Sequence, residues 1–393
     1  MRANAVEASR RPSFNAATEL QSTATYQAVF QEGFWPVGSD EETPVFVIGL
    51  MRSGSTLVEA ILSSHSKVVD MGEDSVFNGM LPEIREKIVK SISKGDINGV
   101  LEQVEAAASK VVHHMQLKFP DNSSSMATYI VDKMLFNFKN VGFIHLVFPK
   151  ARIIHCVRSF WDVLFSCYKH KFEDSGLEWS LSIEHIVSYF VAYRRLMRHW
   201  ETVLPGRIFT VQYEELVASP REVVQRMLEH CNLEWEEQVM DFHRSKDRVV
   251  LTHSALQVRT GIYKHSVGRV ARYRRLLEAE VNKVPLFLNE LSDVVADENK
   301  VNWVINDSRS WQQQLSHPQA NNPKSAITPP LSSAAEQSPA ASSTGGLRER
   351  HAMAPAVVVN RGASSRYGSS EFLPQMTATP RIPLMPGRQP SPI

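Results

Sequence analysis

Val45-Phe46-Val47-Ile48-Gly49-Leu50-Met51-Arg52-Ser53-Gly54-Ser55-Thr56 is the stretch whose reading decides the fold. The apolar run Val45–Ile48, rich in β-branched residues, reads as a buried strand. Two glycines five residues apart follow, and Thr56-Leu57-Val58-Glu59-Ala60-Ile61-Leu62 then reads as a helix. Strand, glycine turn and helix make a phosphate cradle, because backbone N–H groups and the helix dipole both face an anion there. The pattern is one residue away from the nucleotide-binding loop G-x-x-x-x-G-K-[ST]. Its lysine position holds Ser55, and a positive charge stands inside the loop instead, at Arg52. Without that lysine the loop grips the β- and γ-phosphates of a triphosphate poorly. It suits a nucleotide with a single 5′ phosphoryl-type group.

Outward from this loop, strand and helix signals alternate. A strand is expected at Tyr129–Asp132 and a helix at Val141–Phe148, stopped by Pro149. A second strong strand, Arg152–Val157, is followed by a helix to about Lys171. A long amphipathic helix spans 181–203, and Ile208–Gln212 is another strand. Ser219-Pro220-Arg221-Glu222 opens a helix with proline at its first position and a capping-box pattern. Helical periodicity also covers 75–119, broken near Gly95-Asp96. Alternation of this kind predicts an α/β fold: a P-loop-like three-layer domain with a mostly parallel central sheet flanked by helices. Such sheets bind ligands at the carboxyl ends of their strands, where both Arg52–Thr56 and Arg158 fall.

The chain has 393 residues, 43% hydrophobic and 22% charged, with a formal net charge of +1. That balance supplies no basic field, so nucleic acid is not expected as a partner. Cys156, Cys167 and Cys231 are widely spaced and odd in number, which fits a reducing compartment better than a disulfide framework. No run approaches the ~18 apolar residues of a membrane span, and no secretory signal or membrane anchor is seen. A cytoplasmic location is expected. An organelle transit peptide stays open for residues 1–12, with Glu7 against it. The organisation reads as an irregular lead-in with a short helix over 1–40, a main domain over 41–300, and a disordered Pro/Ser/Ala-rich tail over 316–393.

Four features accompany the loop: Gly72-Glu73, Asp132-Lys133-Met134, Arg158 with Asp162 and Ser166, and Val211-Gln212-Tyr213-Glu214-Glu215-Leu216. Together they resemble the sulfotransferases that use 3′-phosphoadenosine 5′-phosphosulfate (PAPS), in particular the tyrosylprotein and tetratricopeptide-linked branch. The resemblance runs from about Pro44 to about Leu277. It implies that Arg52, Ser53, Gly54, Ser55 and Thr56 hold the 5′-phosphosulfate of PAPS. It implies that Arg158 and Ser166 bind the 3′-phosphate and that Tyr213 lies near the adenosine. Glu73 falls at the catalytic base, and Lys133 at a lysine that stabilises charge around the transferred group. The stretch Ser254–Arg259, continuing through Tyr263 to Ser266-Val267-Gly268-Arg269, is similar to the family's C-terminal segment, which makes Ser266 a donor contact. The chain departs from the family's Arg-Asp-Pro at Arg158-Ser159-Phe160, and it has Met51 in place of a proline. Lys133-Met134-Leu135 stands for Lys-Met-Pro, and recognisable tetratricopeptide repeats are absent upstream.

The implied function is transfer of a sulfonate from PAPS to a hydroxyl of a protein tyrosine, glycan or metabolite, in line and with no metal. Two alternatives stay open: a P-loop small-molecule kinase, and a non-catalytic module that binds adenosine 3′,5′-bisphosphate. Acceptor class and oligomeric state are not legible. His113-His114 lacks partners at metal-ligand spacing, and His155 reads as a core histidine. Arg272, Arg274 and Arg275 read as a solvated basic face, with attraction of an anionic acceptor or of the donor's phosphates as the other reading.

Overall fold

The computed structural model describes residues 14–31, 44–73, 94–118, 129–170, 176–244, 261–263 and 265–290, with a few isolated positions between them. The stretch Ser254–Arg259 and the expected tail over 316–393 lie outside the described residues. Five strands form one parallel sheet: β1 (Pro44–Gly49), β2 (Val68–Asp70), β3 (Tyr129–Asp132), β4 (Arg152–Val157) and β5 (Ile208–Gln212). Their order is β2-β3-β1-β4-β5, so β1 is central. Register runs Phe46 to Asp132 on one side of β1 and Ile48 to His155 on the other.

Side chains of β1 alternate between the two faces, as a strand with period two requires. Val45 and Val47 join one buried cluster with α2 (Ser55–Leu62) and α8 (Pro220–His230). Phe46 and Ile48 point into the other, built with α4 (Val141–Val147), α5 (Phe160–Lys169) and α6 (Ile183–Val203). That gives the helix–sheet–helix layering expected of a parallel sheet, whose strands are buried on both faces. Every residue of β1 is buried.

The segment expected as a lead-in contains a full helix, α1 (Ala16–Val29), capped by the Asn15 side chain accepting from Thr18 N at 3.1 Å. It packs along α6 and ends in Phe30, whose ring meets Phe143 edge-on at 4.8 Å and Trp200 at 5.6 Å. Trp200 is fully buried and donates from Nε1 to Phe138 O at 2.8 Å. The segment after the break at Gly95-Asp96 is α3 (Ile97–Lys118).

One local expectation fails. Ser219 stands at the N-cap of α8 with Pro220 at the first position, but its side chain makes no capping bond. Ser219 is also the last residue of α7 (Tyr213–Ala218) plus one, and its N–H is committed to Glu215 O at 2.8 Å. Its ψ of 64 serves the abutment of two helices instead of a capping box. The short edge strand β2 and the separate helix α7 carry too few residues to show a period, and neither is legible beforehand.

Candidate active site

The loop after β1 is shaped by backbone geometry. Gly49 has φ 146, and a Cβ there would stand 2.5 Å from Cys156 O on β4. Arg52 (φ 67) and Gly54 (φ 96) are both left-handed. Such turns fold successive N–H groups into an anion-binding concavity. A left-handed residue other than glycine costs about 1–3 kcal/mol and is characteristic of functional loops. Ser53 Oγ closes the loop by donating to Leu50 O at 2.7 Å. Helix α2 then starts with no side-chain cap at Gly54. The first N–H groups of a helix have no intrahelical acceptor, so this end is equipped for an anion.

Arg158, just past β4, is the organising cation. It donates from Nη1 to Arg52 O at 3.1 Å and from Nη2 to Ser266 O. Its guanidinium covers the Tyr213 ring at 4.7 Å and lies 3.4 Å from Asp162. Arg158 Nε is buried without a hydrogen-bond partner among the described residues. Arg52 reaches the same place from the loop and donates from Nε to Ser166 Oγ at 3.0 Å. Burial, and secondarily the charge of Arg158, lower the Arg52 guanidinium from its ordinary range. Two guanidinium groups gathered here make a strongly anion-selective spot.

Asp162 ties down the chain beyond residue 265. It accepts from Gly268 N at 2.8 Å and from Val270 N at 3.2 Å. Ser266 is thereby held against Tyr213, whose hydroxyl bonds to it. Burial raises the Tyr213 phenol, so it stays neutral. Glu214 accepts from Ser159 N at 3.0 Å and fixes the turn after β4. That turn therefore keeps its place although Ser159-Phe160 departs from the family's sequence. Phe160 is instead a core residue, with its ring 4.7 Å from that of Phe190.

At the β2–β3 side of the same edge, Lys133 is fully buried and lies between two carboxylates. Its Nζ is 2.5 Å from Glu73 Oε1 and 3.6 Å from Glu59 Oε2. Glu73 is half exposed, whereas Glu59 is buried on α2. Lys133 N donates to Gly72 O at 3.0 Å, which sets the spacing of the two motifs. Beneath them, Asp132 Oδ1 accepts from Met134 N at 2.8 Å. Burial pushes the Asp132 carboxyl up to about 7. His155 binds Tyr193 OH through Nε2, while its Nδ1 is buried without a partner among the described residues. Burial holds this imidazole neutral, down to about 3.

All eleven residues singled out from the sequence therefore lie at the carboxyl edge of the sheet or on the segment tied over it. Arg52, Ser53, Gly54, Ser55 and Thr56 follow β1, and Glu73 follows β2. Lys133 follows β3, Arg158 and Ser166 follow β4, and Tyr213 follows β5. Ser266 arrives through the Asp162 tie. Sequence reading misses Glu59, and the signal that could have found it is that it is the one charged residue of Ser55–Leu62. Arg274 of the basic cluster is engaged, stacked on the Trp161 ring at 3.6 Å and paired with Glu278. Among the described residues no group of three His, Cys, Asp or Glu could hold a metal ion. Among them also, no helix is long and apolar enough to cross a membrane.

Residues 44–237 match the Sulfotransferase family model. Over those residues the chain is similar to the sulfotransferase family. An uncharacterized protein of Aquifex aeolicus (strain VF5) is 33% identical over 262 residues, 65% of this chain and 34% of that protein. Protein-tyrosine sulfotransferase A of Caenorhabditis elegans is 22% identical over 202 residues, 50% of this chain and 51% of that protein. The chain thus spans about a third of the first relative and about half of the second. Among solved structures, the sulfotransferase domain from the Synechococcus PCC 7002 olefin synthase aligns with a TM-score of 0.41 at 18% identity. That alignment covers 60% of this chain and 90% of that domain. Relatives among the protein-tyrosine sulfotransferases agree with the branch that the sequence motifs resemble.

Proposed function

We propose that this chain transfers a sulfonate from PAPS to an acceptor hydroxyl. The observation that carries the reading is the single cluster of Arg52, Arg158, Ser166 and Tyr213 beside the uncapped start of α2, with the Lys133–Glu73 pair on the same sheet edge. The fit to a doubly phosphorylated adenosine rests on the donor set. An uncapped helix start and left-handed loop suit one anion, and the buried, unpartnered Arg158 Nε suits a second. Arg52, Ser53, Gly54, Ser55 and Thr56 would hold the 5′-phosphosulfate, Arg158 and Ser166 the 3′-phosphate, and Tyr213 would lie near the adenosine. The donor supplies an activated sulfonate.

The protein's part is positioning and charge, as in other in-line group transfers. The acceptor oxygen forms a new bond to sulfur as the bond between sulfur and the 5′-phosphate oxygen breaks. The electron pair leaves with adenosine 3′,5′-bisphosphate. The acceptor's proton goes to Glu73, half exposed and so reachable from solvent. General-base help of this kind is worth about 10²–10⁴-fold. Lys133, Ser266 and the loop cations counter the charge that spreads during transfer. The acceptor is a hydroxyl of a protein tyrosine, a glycan or a metabolite.

The test is calorimetry of adenosine 3′,5′-bisphosphate and of ATP, together with transfer of label from PAPS by wild type and Glu73→Gln. Binding of the bisphosphate alone, with turnover lost in Glu73→Gln and binding kept, supports the proposal. Binding of ATP alone would replace it with a kinase. Bisphosphate binding with no transfer to any acceptor hydroxyl would replace it with a binding module. Normal transfer by Glu73→Gln would remove the assigned base.

A further inference from the structure

A carboxylate buried on a helix whose other buried residues are Ser55, Thr56, Val58, Ala60, Ile61 and Leu62 is costly unless a cation meets it. Glu59 is that carboxylate, and Lys133 is the cation at 3.6 Å. Lys133 in turn is fully buried and closer to Glu73, at 2.5 Å. The ammonium of Lys133 therefore meets two carboxylates. Other titratable groups face it from the neighbouring strands: Asp132 on β3 and the Cys156 thiol on β4, both raised by burial.

We propose that Glu59 is a positioning carboxylate: it shares the charge of Lys133 so that Glu73 can accept the acceptor's proton. An ammonium at hydrogen-bond distance favours the ionised form of its partner carboxylate and so weakens that carboxylate as a base. With Lys133 paired to Glu73 alone, the pair would be neutral and Glu73 slow to take a proton. Glu59 supplies a second counter-charge to the ammonium. It also anchors Lys133 to α2, the helix whose first residues belong to the phosphate loop. The loop that opens α2 and the base after β2 are thereby linked through Lys133, which keeps the two ends of the transfer in register.

The inference rests on the sulfonate-transfer reading and deepens its account of Glu73. Its test compares wild type, Glu59→Gln and Glu59→Asp by three readouts. Bisphosphate affinity, measured calorimetrically, stays within about twofold of wild type in both variants. In Glu59→Gln the rate of transfer falls about tenfold or more, with the KM for the donor unchanged. The acidic limb of the pH–rate profile moves to lower pH because a neighbouring negative charge is gone. Glu59→Asp restores part of the rate. The third readout needs no turnover: in carbon-13 glutamate NMR, assigned with Glu73→Gln, the Glu73 carboxyl titrates at lower pH in Glu59→Gln than in wild type. An unmoved carboxyl titration overturns the proposal whatever the rate does. A rate loss accompanied by lost bisphosphate binding, with no change in the pH profile, overturns it in favour of a structural role. A wild type that transfers nothing would sink the functional reading, while the NMR comparison still decides whether Glu59 and Glu73 are coupled.

Discussion

Replacing Arg158 with alanine removes the cation on which the proposed 3′-phosphate site depends, and the cost can be worked from its contacts. Its buried Nε has no partner among the described residues and is a donor open to a ligand. A hydrogen bond to a charged group contributes about 1.5–3 kcal/mol. At about 1.4 kcal/mol per factor of ten, loss of one such bond weakens adenosine 3′,5′-bisphosphate by about 10- to 150-fold. The fold suffers less. Asp162 loses a cation at 3.4 Å but keeps Gly268 N and Val270 N as donors. Tyr213 loses its guanidinium cover, worth about 0.5–2 kcal/mol. A destabilisation of about 1–3 kcal/mol is expected, visible as a lower melting temperature without loss of cooperativity. Calorimetry on wild type, Arg158→Ala and Arg158→Lys reads the effect. Lysine keeps the charge but not the planar fork, so it recovers only part of the affinity. A folded Arg158→Ala that binds the bisphosphate within about twofold of wild type would refute the assignment. If alanine unfolds the chain, wild-type affinity in Arg158→Lys would do so instead.

Gly54→Ala should abolish nucleotide binding and destabilise by at least about 1–2 kcal/mol for the left-handed backbone, because its Cβ would meet the Tyr213 ring at 2.4 Å. Adding Tyr213→Ala should return part of that loss, which a double-mutant cycle by chemical denaturation measures. Asp162→Asn should loosen the segment that carries Ser266, read as faster tryptic cleavage after Arg269 and weaker bisphosphate binding, by about 1–2 kcal/mol. His155 should contribute a loss of stability as pH falls from about 6.5 toward about 3, since it stays neutral in the fold and is protonated when unfolded. His155→Gln should flatten that slope, which is at most about 1.4 kcal/mol per pH unit, in urea midpoints compared between pH 4 and 7. Asp132 acts with the opposite sign: raised to about 7, it keeps its proton in the fold, so stability is lost as pH rises from 3.8 toward 7. Asp132→Asn should remove that loss.

The place of the candidate site at the sheet edge was legible because the turns that follow strands are local features. A glycine turn after a strand with an arginine inside it belongs to one strand–helix unit, and the arginine and serine eight residues apart belong to another. The strands Tyr129–Asp132, Arg152–Val157 and Ile208–Gln212 appear with the expected bounds because each is a short run rich in β-branched residues. The capping box at Ser219 failed because a pattern of four residues does not reveal that a preceding helix ends on the same backbone. The length of α1 was missed because its inward face is partly polar, with Glu19 and Thr23 buried, so its amphipathic stripe is faint.

By itself the sequence determined the sheet class, the glycine loop after β1 and the cationic and hydroxyl residues of the candidate site, since each is written in residues adjacent along the chain. Tertiary structure alone decided which of these meet. Glu59, Glu73 and Lys133 come from α2, the end of β2 and the end of β3, and only the order β2-β3-β1 makes them neighbours. Arg52 finds Ser166, and Arg158 finds Ser266, across 114 and 108 residues of chain. Charge pairing acts through a few ångströms of space, and the sheet register sets that distance, not the spacing of the residues along the chain.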